Sequence, residues 1–321
     1  MPKDGKRPLN VHMYLTPVCN LACTHCYYDA LPVGATPTEL LTPSEIVQAL
    51  KSICDSFDAD VHVEGGEVFL REDLETIFGG LPISYWRNVT LTTSGTVKIR
   101  IADEYLRALG DLRISVEGHT DELQRLVRGV SLKAVLSTCT DLHRRGVPFT
   151  IRITLIRQNF QQLYEMLDKL AESGAERFSF FEFQAVGRGS NVEPDLGLQA
   201  RDIDEILNTL VAKPLPSSVK LFKLSLSSLR VSLVEEKRAA LEDAGYNIMN
   251  LGSMANLTIN SNGDLGISPW KITAHTVQDQ FANIRDVDLV PELQKRMESD
   301  QLNAFCDHTS QIMIRWPSLA L

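Results

Sequence analysis

Short β-rich segments alternate with amphipathic helical segments between residues 10 and 184, and this alternation constrains the fold more than any other feature of the sequence. Segments rich in Val, Ile, Thr and aromatic residues predict strands, and helical segments between successive strands are typical of a parallel sheet. We predict six strands, in NVHMYLT, ADVHVEGG, NVTLTTSG, DLRISVEG, PFTIRITLI and RFSFFEFQ. Six βα units suffice for an open barrel. The sequence therefore predicts the α/β class, with a partial (β/α)6 TIM-like barrel.

The helices between these strands are indicated by apolar residues that recur with the helical period. Ile46, Leu50 and Ile53 share one predicted helix face, and later segments repeat the pattern. Thr42 and Asn159 precede two of the helical segments. Their side chains are of the type that accepts a hydrogen bond from a free N–H group at a helix start, so both are predicted N-caps.

The pattern changes after residue 189, where a loop leads to a predicted helix over 200–211 and the βα alternation stops. NLTINSNGDLGIS predicts a hairpin that turns on Asn262-Gly263, a pair suited to a type I′ turn. A last helix is predicted over 291–299. We therefore predict a barrel domain over 1–214 and a small C-terminal α+β extension over 215–321 that contains this hairpin.

Composition excludes several classes of protein. The chain has 321 residues and a formal net charge of −9, without a long Lys/Arg-rich run, which argues against a nucleic-acid-binding surface. It has no run of about 20 apolar residues, so no membrane span is predicted. We expect a cytoplasmic protein. Thiols stay reduced there, so clustered cysteines indicate metal binding or catalysis rather than disulfides.

Three of the six cysteines, Cys19, Cys23 and Cys26, form a CxxxCxxC array directly after the first predicted strand. Thiolates suit zinc or an iron–sulfur cluster. A structural zinc site needs four ligands, so zinc would need a distant fourth one. A cubane cluster held by three thiolates leaves one iron open to an external ligand. The array also lies at the strand end where barrels place their active sites.

This array resembles the CxxxCxΦC signature of the radical S-adenosylmethionine (radical SAM) superfamily, with His25 at the usually aromatic Φ position. The resemblance implies one [4Fe–4S] cluster held by the three cysteines, with S-adenosylmethionine bound to the open iron. It also implies an external reductant such as flavodoxin or ferredoxin. One-electron reduction would then give methionine and a 5′-deoxyadenosyl radical, which abstracts a hydrogen atom from the substrate.

VHVEGGEVFL places Gly65, Gly66 and Glu67 at the end of the second predicted strand. Two glycines permit close approach of a ligand to the backbone, and a carboxylate can bind an ammonium group. By itself the segment is equally typical of a tight βα turn with a helix-capping acid. It resembles the GGE motif of the family, which binds the methionyl amino group, and it follows the cysteines by one βα unit.

Further resemblances fall on the later strands. TLTTSG resembles a third-strand segment with a polar cofactor contact, and ISVEG resembles a fourth-strand segment that reaches the ribose hydroxyls. The arginine of TIRITL matches one that pairs with the methionyl carboxylate, and FQAVGRGS resembles a segment that lines the adenine. Singly, such an acid is also typical of a solvated turn and such an arginine of an ion pair. The residues assigned by resemblance are Ser94, Ser115, Glu117, Arg152, Ala185 and Gly187.

The detailed sequences of these segments resemble the peptide-maturase branch of the family. Members of that branch have a SPASM or twitch extension, which carries further cluster cysteines. Here the hairpin lacks those cysteines, so we expect a single cluster. Cys54 and Cys139 lie on apolar helix faces and are predicted to be buried, inert thiols. Cys306 is either a leftover ligand without a role or a donor of a hydrogen atom to a substrate radical.

A single cluster favours redox-neutral outcomes such as epimerisation, rearrangement or backbone fragmentation. The branch resemblance implies a peptide or protein substrate, with crosslinking as a further outcome in such maturases. The same chemistry on a small metabolite is the alternative, and a non-enzymatic zinc-binding interaction module is the alternative from a different class.

Overall fold

The structure, a computed structural model, describes residues 5–37, 39–250, 255–299, 301–302 and 311–317. The described chain divides into two compact units. The first unit takes in the chain up to Ala22, then Cys26–Arg113, and the described residues of 254–305. The second takes in Cys23–His25, Ile114 to residue 253, and the described residues of 306–321.

Apart from the short paired strands Val18–Cys19 and Leu31–Pro32, the strands of the described residues, in sequence order, provide the frame of both units. They are β1 Pro8–Tyr14, β2 Asp58–Glu64, β3 Val89–Thr93, β4 Asp111–Ser115, β5 Thr150–Leu155, β6 Arg177–Glu182, β7 Leu221–Ser227, β8 Asn247–Asn250, β9 Ala255–Ile259, β10 Asp264–Gly266, β11 Ala282–Asn283 and β12 Gln311–Trp316.

In the first unit the strand order is β3-β2-β1-β9-β10-β11. β1 pairs in parallel with both β2 and β9, and β2 with β3. The hairpin β9–β10 and the pair β10–β11 are antiparallel. The predicted C-terminal hairpin therefore extends the sheet beside the strand that leads to the cysteines.

In the second unit the strand order is β8-β12-β7-β6-β5. β5, β6 and β7 are parallel, whereas β12 is antiparallel to both β7 and β8. One face of the parallel strands is apolar and fully buried, through residues such as Ile153, Phe180 and Leu224. The alternate face carries polar residues such as Arg152 and Ser179, as expected from the two-residue period of a strand.

Most of the helices lie between successive strands of the parallel series. The helices are α1 Pro43–Ser56, α2 Leu74–Gly79, α3 Asp103–Ala108, α4 Asp121–Arg128, α5 Leu132–Arg144, α6 Leu163–Ala171, α7 Glu193–Leu196, α8 Ala200–Ala212, α9 Val231–Glu236, α10 Arg238–Asp243 and α11 Leu289–Glu298, with 3-10 turns at Val68–Leu70, Ile83–Asn88, Phe160–Gln162, Gly187–Val192 and Ser228–Arg230. Thr42 caps α1 as predicted, in a capping box with Glu45.

All six predicted strands form, and the α/β class is confirmed. β7 was not predicted from the sequence; it continues the parallel series after α8 by pairing with β6. The alternation therefore does not stop at residue 211. The predicted boundary near residue 214 stays a prediction.

Two local predictions are wrong. Asn159 caps no helix, because its Oδ1 accepts the Ile156 N–H at 2.8 Å and its amide donates to the Glu117 and Thr154 carbonyls. The hairpin turn is not type I′, which needs a positive φ at both central residues. Gly263 N–H donates to Asn260 O, and positive φ in the turn is confined to Gly263.

Among the described residues, no helix combines the length and the apolar character that crossing a membrane requires.

Candidate functional site

The cysteine loop, residues 15–30, follows β1. It lies in the first unit except for Cys23–His25, which belong to the second. The Leu15 N–H donates to Glu64 O at 2.9 Å, so the start of the loop continues the pairing of β1 with β2. The two predicted motifs at these strand ends therefore meet through the backbone.

Cys19 lies in a short strand, Val18–Cys19, that pairs in parallel with Leu31–Pro32 at the end of the loop. Its Sγ accepts the N–H of Leu21 at 3.4 Å. Hydrogen bonds to sulfur are among the interactions by which proteins tune cysteine-bound iron–sulfur clusters. The surroundings of Cys19 thus fit a cluster ligand.

Gly65 and Gly66 lie against the backbone of the cysteine loop. Gly66 N–H donates to Thr16 O at 2.8 Å, and Glu67 N–H donates to Val18 O at 2.9 Å. A Cβ on Gly65, whose φ is +148°, would lie 2.5 Å from Thr16 O, and one on Gly66 would lie 2.1 Å from Val18 O. These glycines are therefore required by close contact between two chain segments, a reason that the sequence analysis did not give.

Glu67 is fully buried, and its carboxylate accepts hydrogen bonds from the protein itself. Oε1 accepts from the Phe69 N–H at 3.1 Å and from Thr93 Oγ1 at 2.7 Å. Oε2 accepts from Ser94 through its N–H at 2.8 Å and its hydroxyl at 2.5 Å. The structure thus brings together two predicted residues, Glu67 and Ser94, and joins the ends of β2 and β3.

Tyr27 and Tyr28, which follow Cys26 directly, belong to a tyrosine cluster that was not predicted from the sequence. The Tyr27 hydroxyl donates to Glu64 Oε2, and Tyr14 OH donates to Tyr27 OH at 3.4 Å. Tyr28 stacks on Tyr14 with 4.5 Å between ring centroids, and Trp270 meets Tyr27 edge-on at 5.7 Å. The only sequence signal for this cluster is the pair of tyrosines beside the last motif cysteine.

The segment that follows the C-terminal hairpin covers this part of the cysteine loop. Ala274 N–H donates to Tyr28 O at 2.8 Å. Ile272 and Val277 are buried in one apolar cluster with Tyr14, Tyr28 and Ala30, and partly buried residues pack against it, namely Cys19, Cys26, Tyr27 and Ala274. Two of the three motif cysteines, Cys19 and Cys26, therefore pack against an apolar cluster.

In the second unit, Cys23 is buried and contacts an arginine at the end of α4. Arg128 Nη1 donates to Cys23 Sγ at 3.8 Å. The same guanidinium donates through Nε and Nη2 to Glu117 Oε1, at 2.9 and 2.6 Å. Sequence analysis selected Glu117 but missed Arg128, for which the helix end before Gly129 is the only local signal.

Glu117 is the centre of this second network. His25 Nε2 lies 3.0 Å from Oε1, and the Thr154 N–H donates to Oε2 at 2.8 Å. Burial by itself would raise the pKa of this carboxyl, but the charges and hydrogen bonds of Arg128 and His25 outweigh burial and lower the pKa to about 2. The carboxylate is therefore ionised at neutral pH and connects the cysteine motif to β5.

Helix α4 holds Arg128 at this place. Thr120 Oγ1 accepts the Leu123 N–H at the helix start, and Gly129, with a φ of +70°, ends it. The Thr24 N–H, within the cysteine motif, donates to Val127 O at 2.9 Å and so satisfies a carbonyl at the end of α4. A cation at a helix C-terminus also complements the helix dipole.

The side chains of the other predicted cofactor residues take no part in the hydrogen bonds described above for these two networks. Ser115 is buried at the end of β4, and Arg152 places its guanidinium 4.7 Å from the centre of the Phe181 ring. Ala185 is exposed, and Gly187, with a φ of +56°, begins a 3-10 turn. Their roles at the cofactor stay predictions.

The remaining cysteines differ in accessibility. Cys139 is fully buried and Cys54 is half-buried, and burial raises the pKa of their thiols to about 12 and about 11, respectively. Thiolate chemistry is therefore disfavoured at both positions. Cys306, the predicted leftover ligand or hydrogen donor, lies outside the described residues.

Residues 13–170 match the model of the radical SAM superfamily. Among curated proteins, the chain is 27% identical over 191 residues to a probable GTP 3′,8-cyclase of Sulfurisphaera tokodaii, which covers 58% of the chain and 60% of that protein. It is 26% identical over 193 residues to the subtilosin biosynthesis protein AlbA of Bacillus subtilis, covering 58% of the chain and 42% of AlbA. The chain thus spans about half the length of such relatives.

Solved structures show the same fold. Streptococcus suis SuiB bound to its precursor peptide SuiA gives a TM-score of 0.66 at 17% identity, covering 89% of this chain and 64% of SuiB. The enzyme anSMEcpe with bound AdoMet gives 0.63 at 16% identity, covering 88% of this chain and 76% of anSMEcpe. The predicted fold class is therefore confirmed.

The cysteine array, the glycine pair with its glutamate and the parallel α/β architecture define the class of protein, and the family match agrees with all three. Residues 13–170 of the chain form a radical SAM domain. Members of this family are enzymes that use a [4Fe–4S] cluster and S-adenosylmethionine. The chemistry of the donor groups fits this cluster, because sulfur atoms of two of the three cysteines already accept N–H hydrogen bonds.

Proposed function

We propose that Cys19, Cys23 and Cys26 hold one [4Fe–4S] cluster and that the chain binds S-adenosylmethionine at the strand ends that carry the GGE segment. The carrying observation is the pair of hydrogen bonds from Gly66 and Glu67 N–H to Thr16 and Val18 O, which join the GGE segment to the cysteine loop. When bound, the cluster supplies the electron that cleaves S-adenosylmethionine to methionine and a 5′-deoxyadenosyl radical.

The residues of the chain would divide the binding of S-adenosylmethionine among them. Gly65, Gly66 and Glu67 are proposed to receive its amino group. Because the Glu67 side chain already accepts four hydrogen bonds from the protein, its first contribution is to hold this turn and the end of β3 in place. Arg152, Ser115 and Glu117 remain proposed contacts for the carboxylate and ribose.

A ribosomally made peptide is the proposed substrate. This proposal is supported by similarity to two peptide maturation proteins of Bacillus subtilis, AlbA and SkfB, and to the fold of SuiB, solved with its precursor peptide. The similarity to a GTP 3′,8-cyclase favours a small metabolite as the second candidate. The two candidate functions differ in whether the hydrogen atom is abstracted from a peptide or from a small metabolite.

The cysteine content supports a redox-neutral reaction. The sequence has six cysteines, and besides the motif only Cys54, Cys139 and Cys306 remain. Because three scattered cysteines do not form a second cluster motif, no second acceptor is provided for an electron from the substrate radical. Epimerisation, rearrangement or fragmentation is therefore proposed over net oxidation. An external flavodoxin or ferredoxin is the proposed reductant, and the reducing cytoplasm the proposed location.

Anaerobic reconstitution tests this function. The wild-type protein is expected to bind about four irons per chain and, with dithionite, to convert S-adenosylmethionine to 5′-deoxyadenosine, measured by mass spectrometry. Replacement of all three motif cysteines by Ala should remove both properties. Cys54→Ala is the matched control and should retain them. A colourless protein that binds zinc and forms no 5′-deoxyadenosine would contradict the proposal.

A peptide substrate is tested separately. Precursor peptides encoded near the gene are incubated with the reconstituted enzyme in deuterated water and examined by mass spectrometry. Incorporation of one deuterium without other mass change would indicate epimerisation, whereas a lost fragment would indicate backbone cleavage. Turnover of a nucleotide or porphyrin precursor, with all peptides unchanged, would establish the metabolite alternative instead.

A further inference from the structure

Arg128 forms an ion pair with Glu117 and also donates a hydrogen bond to the motif cysteine Cys23. Its side chain is only 12% exposed, and two of its N–H groups bind Glu117 Oε1 at 2.6 and 2.9 Å. A third N–H, on Nη1, points to Cys23 Sγ at 3.8 Å. Because the guanidinium is planar and rigid, the Glu117 contact fixes the direction of the group that faces the sulfur.

Glu117 is itself held from three sides, so Arg128 has little freedom to turn away. The Thr154 N–H donates to the carboxylate at 2.8 Å, and His25 Nε2 lies 3.0 Å from it. On the backbone, Glu117 N–H donates to Gln124 Oε1 at 2.8 Å. The carboxylate is 1% exposed, so water weakly screens its interaction with the guanidinium.

We infer that Arg128 is a positioning residue that raises the reduction potential of the cluster through its N–H group and its positive charge at Cys23. The inference rests on the proposed function, in which Cys23 is a cluster ligand. Uptake of one electron from the reductant makes the cluster one charge unit more negative. A nearby cation and a hydrogen bond to sulfur both favour that more negative state.

The N–H bond and the charge contribute differently, and Glu117 separates them. Arg128→Gln removes both the positive charge and the guanidinium N–H bond to Cys23 Sγ, while the buried Glu117 carboxylate remains. Both losses disfavour reduction of the cluster. In the double variant Arg128→Gln/Glu117→Gln the charge pair is lost together, and the loss of the N–H bond to sulfur dominates. Comparison of the double variant with the wild type therefore measures mainly the N–H bond, and comparison with Glu117→Gln, where only Arg128 differs, measures the charge and the N–H bond together.

The test measures the midpoint potential of the reconstituted cluster by a redox titration followed by electron paramagnetic resonance. Arg128→Gln should shift the potential to a more negative value, and Arg128→Lys, which keeps the charge, should shift it less. Arg125→Gln is the matched control. It makes the same change on the same helix, where Arg125 is 57% exposed and pairs with Asp121, so its potential should equal that of the wild type.

Iron content and potential together decide the outcome. An unchanged potential in Arg128→Gln with full iron content overturns the inference and leaves the proposed function intact. If Arg128→Gln loses iron, the double variant decides, since a potential equal to that of Glu117→Gln overturns the inference and a more negative one supports it. Iron loss from every Arg128 variant assigns Arg128 to cluster retention and overturns its tuning role.

The proposed function fails differently. It fails if the wild-type protein takes up no cluster, or if the variant without the three motif cysteines takes up the same cluster. Either result precedes any comparison of Arg128 variants, so the two failures are distinguishable.

Discussion

Glu67 and Glu117 are both buried carboxylates at strand ends near the cysteine motif, but they are stabilised by different partners. Glu67 accepts from hydroxyl and backbone N–H groups of neighbouring strand ends. Glu117 accepts from a guanidinium, an imidazole and one N–H group. Neutral donors fix the geometry of a turn, whereas the Arg128 guanidinium also brings positive charge to Cys23. The first network therefore stabilises the glycine turn, and the second places a cation beside Cys23.

The largest effect is expected from the glycine pair beside Glu67. Gly66→Ala places a Cβ 2.1 Å from the Val18 carbonyl oxygen, so the backbone of the cysteine loop must move. We expect loss of most cluster uptake, measured as iron per chain after reconstitution. Gly79→Ala is the control, because nothing lies within 4 Å of the added Cβ and its uptake should be normal. Full uptake in Gly66→Ala would show that the glycine contact does not shape the loop.

Removal of the Glu117 charge should be the next largest effect. Glu117→Gln leaves a buried guanidinium without the carboxylate that accepts two of its N–H groups, which costs about 3–5 kcal/mol in comparable buried pairs. Urea denaturation of the cluster-free protein measures this as a lower free energy of unfolding. A loss below about 1 kcal/mol, the range of exposed pairs, would mean that water screens the pair.

The dependence of the unfolding free energy on pH should also report the charge of the Glu117 carboxylate. The pKa of Glu117 is about 2 in the folded protein, against 4.5 ordinarily, so the unfolded chain binds its proton more tightly. The contribution of Glu117 is fully present above about pH 4.5 and is lost as the pH falls towards about 2, with a full size of about 3 kcal/mol. The difference in unfolding free energy between wild type and Glu117→Gln should therefore shrink between pH 5 and 3, as read from urea denaturation at each pH. A constant difference would contradict this assignment.

The smallest effect is expected for the network around Glu67, in which all hydrogen-bond donors are neutral. Glu67→Gln keeps the shape of the side chain but replaces one acceptor oxygen by an amide donor, so we expect a loss of about 1–3 kcal/mol of unfolding free energy. Combining it with Ser94→Ala should cost less than the sum of the two single changes, because both affect the hydrogen bond from the Ser94 hydroxyl to Glu67 Oε2. Additive losses in urea denaturation would show that Glu67 and Ser94 do not act together.

The parts of the fold that could be predicted are those with a strong local pattern. All six predicted strands form, and Thr42 caps its helix, because strand period and cap chemistry act over a few residues. Glu67 and Ser94 were selected separately by resemblance, and parallel pairing of β2 with β3 brings their strand ends together.

The missed features depend on partners that are distant in sequence. β7 is the exception, because Phe222, Leu224 and Leu226 alternate with polar residues, a strand period that the sequence itself carries. Asn159 has the composition of a cap, but the Glu117 and Thr154 carbonyls compete for its amide. Arg128 carries no motif of its own, and its significance arises only because the end of α4 lies beside Cys23.

The sequence by itself determined the α/β class and the residue types of the cysteine and GGE motifs, because these depend on local period and on spacing along one short segment. Only the tertiary structure decided what surrounds them. It placed Gly66 against Val18, paired the Glu67 carboxylate with Thr93 and Ser94, and placed Arg128, which Glu117 holds, against Cys23. The physical reason is that buried charges and close backbone contacts are satisfied by whichever groups the fold brings near, and chain spacing does not encode those neighbours.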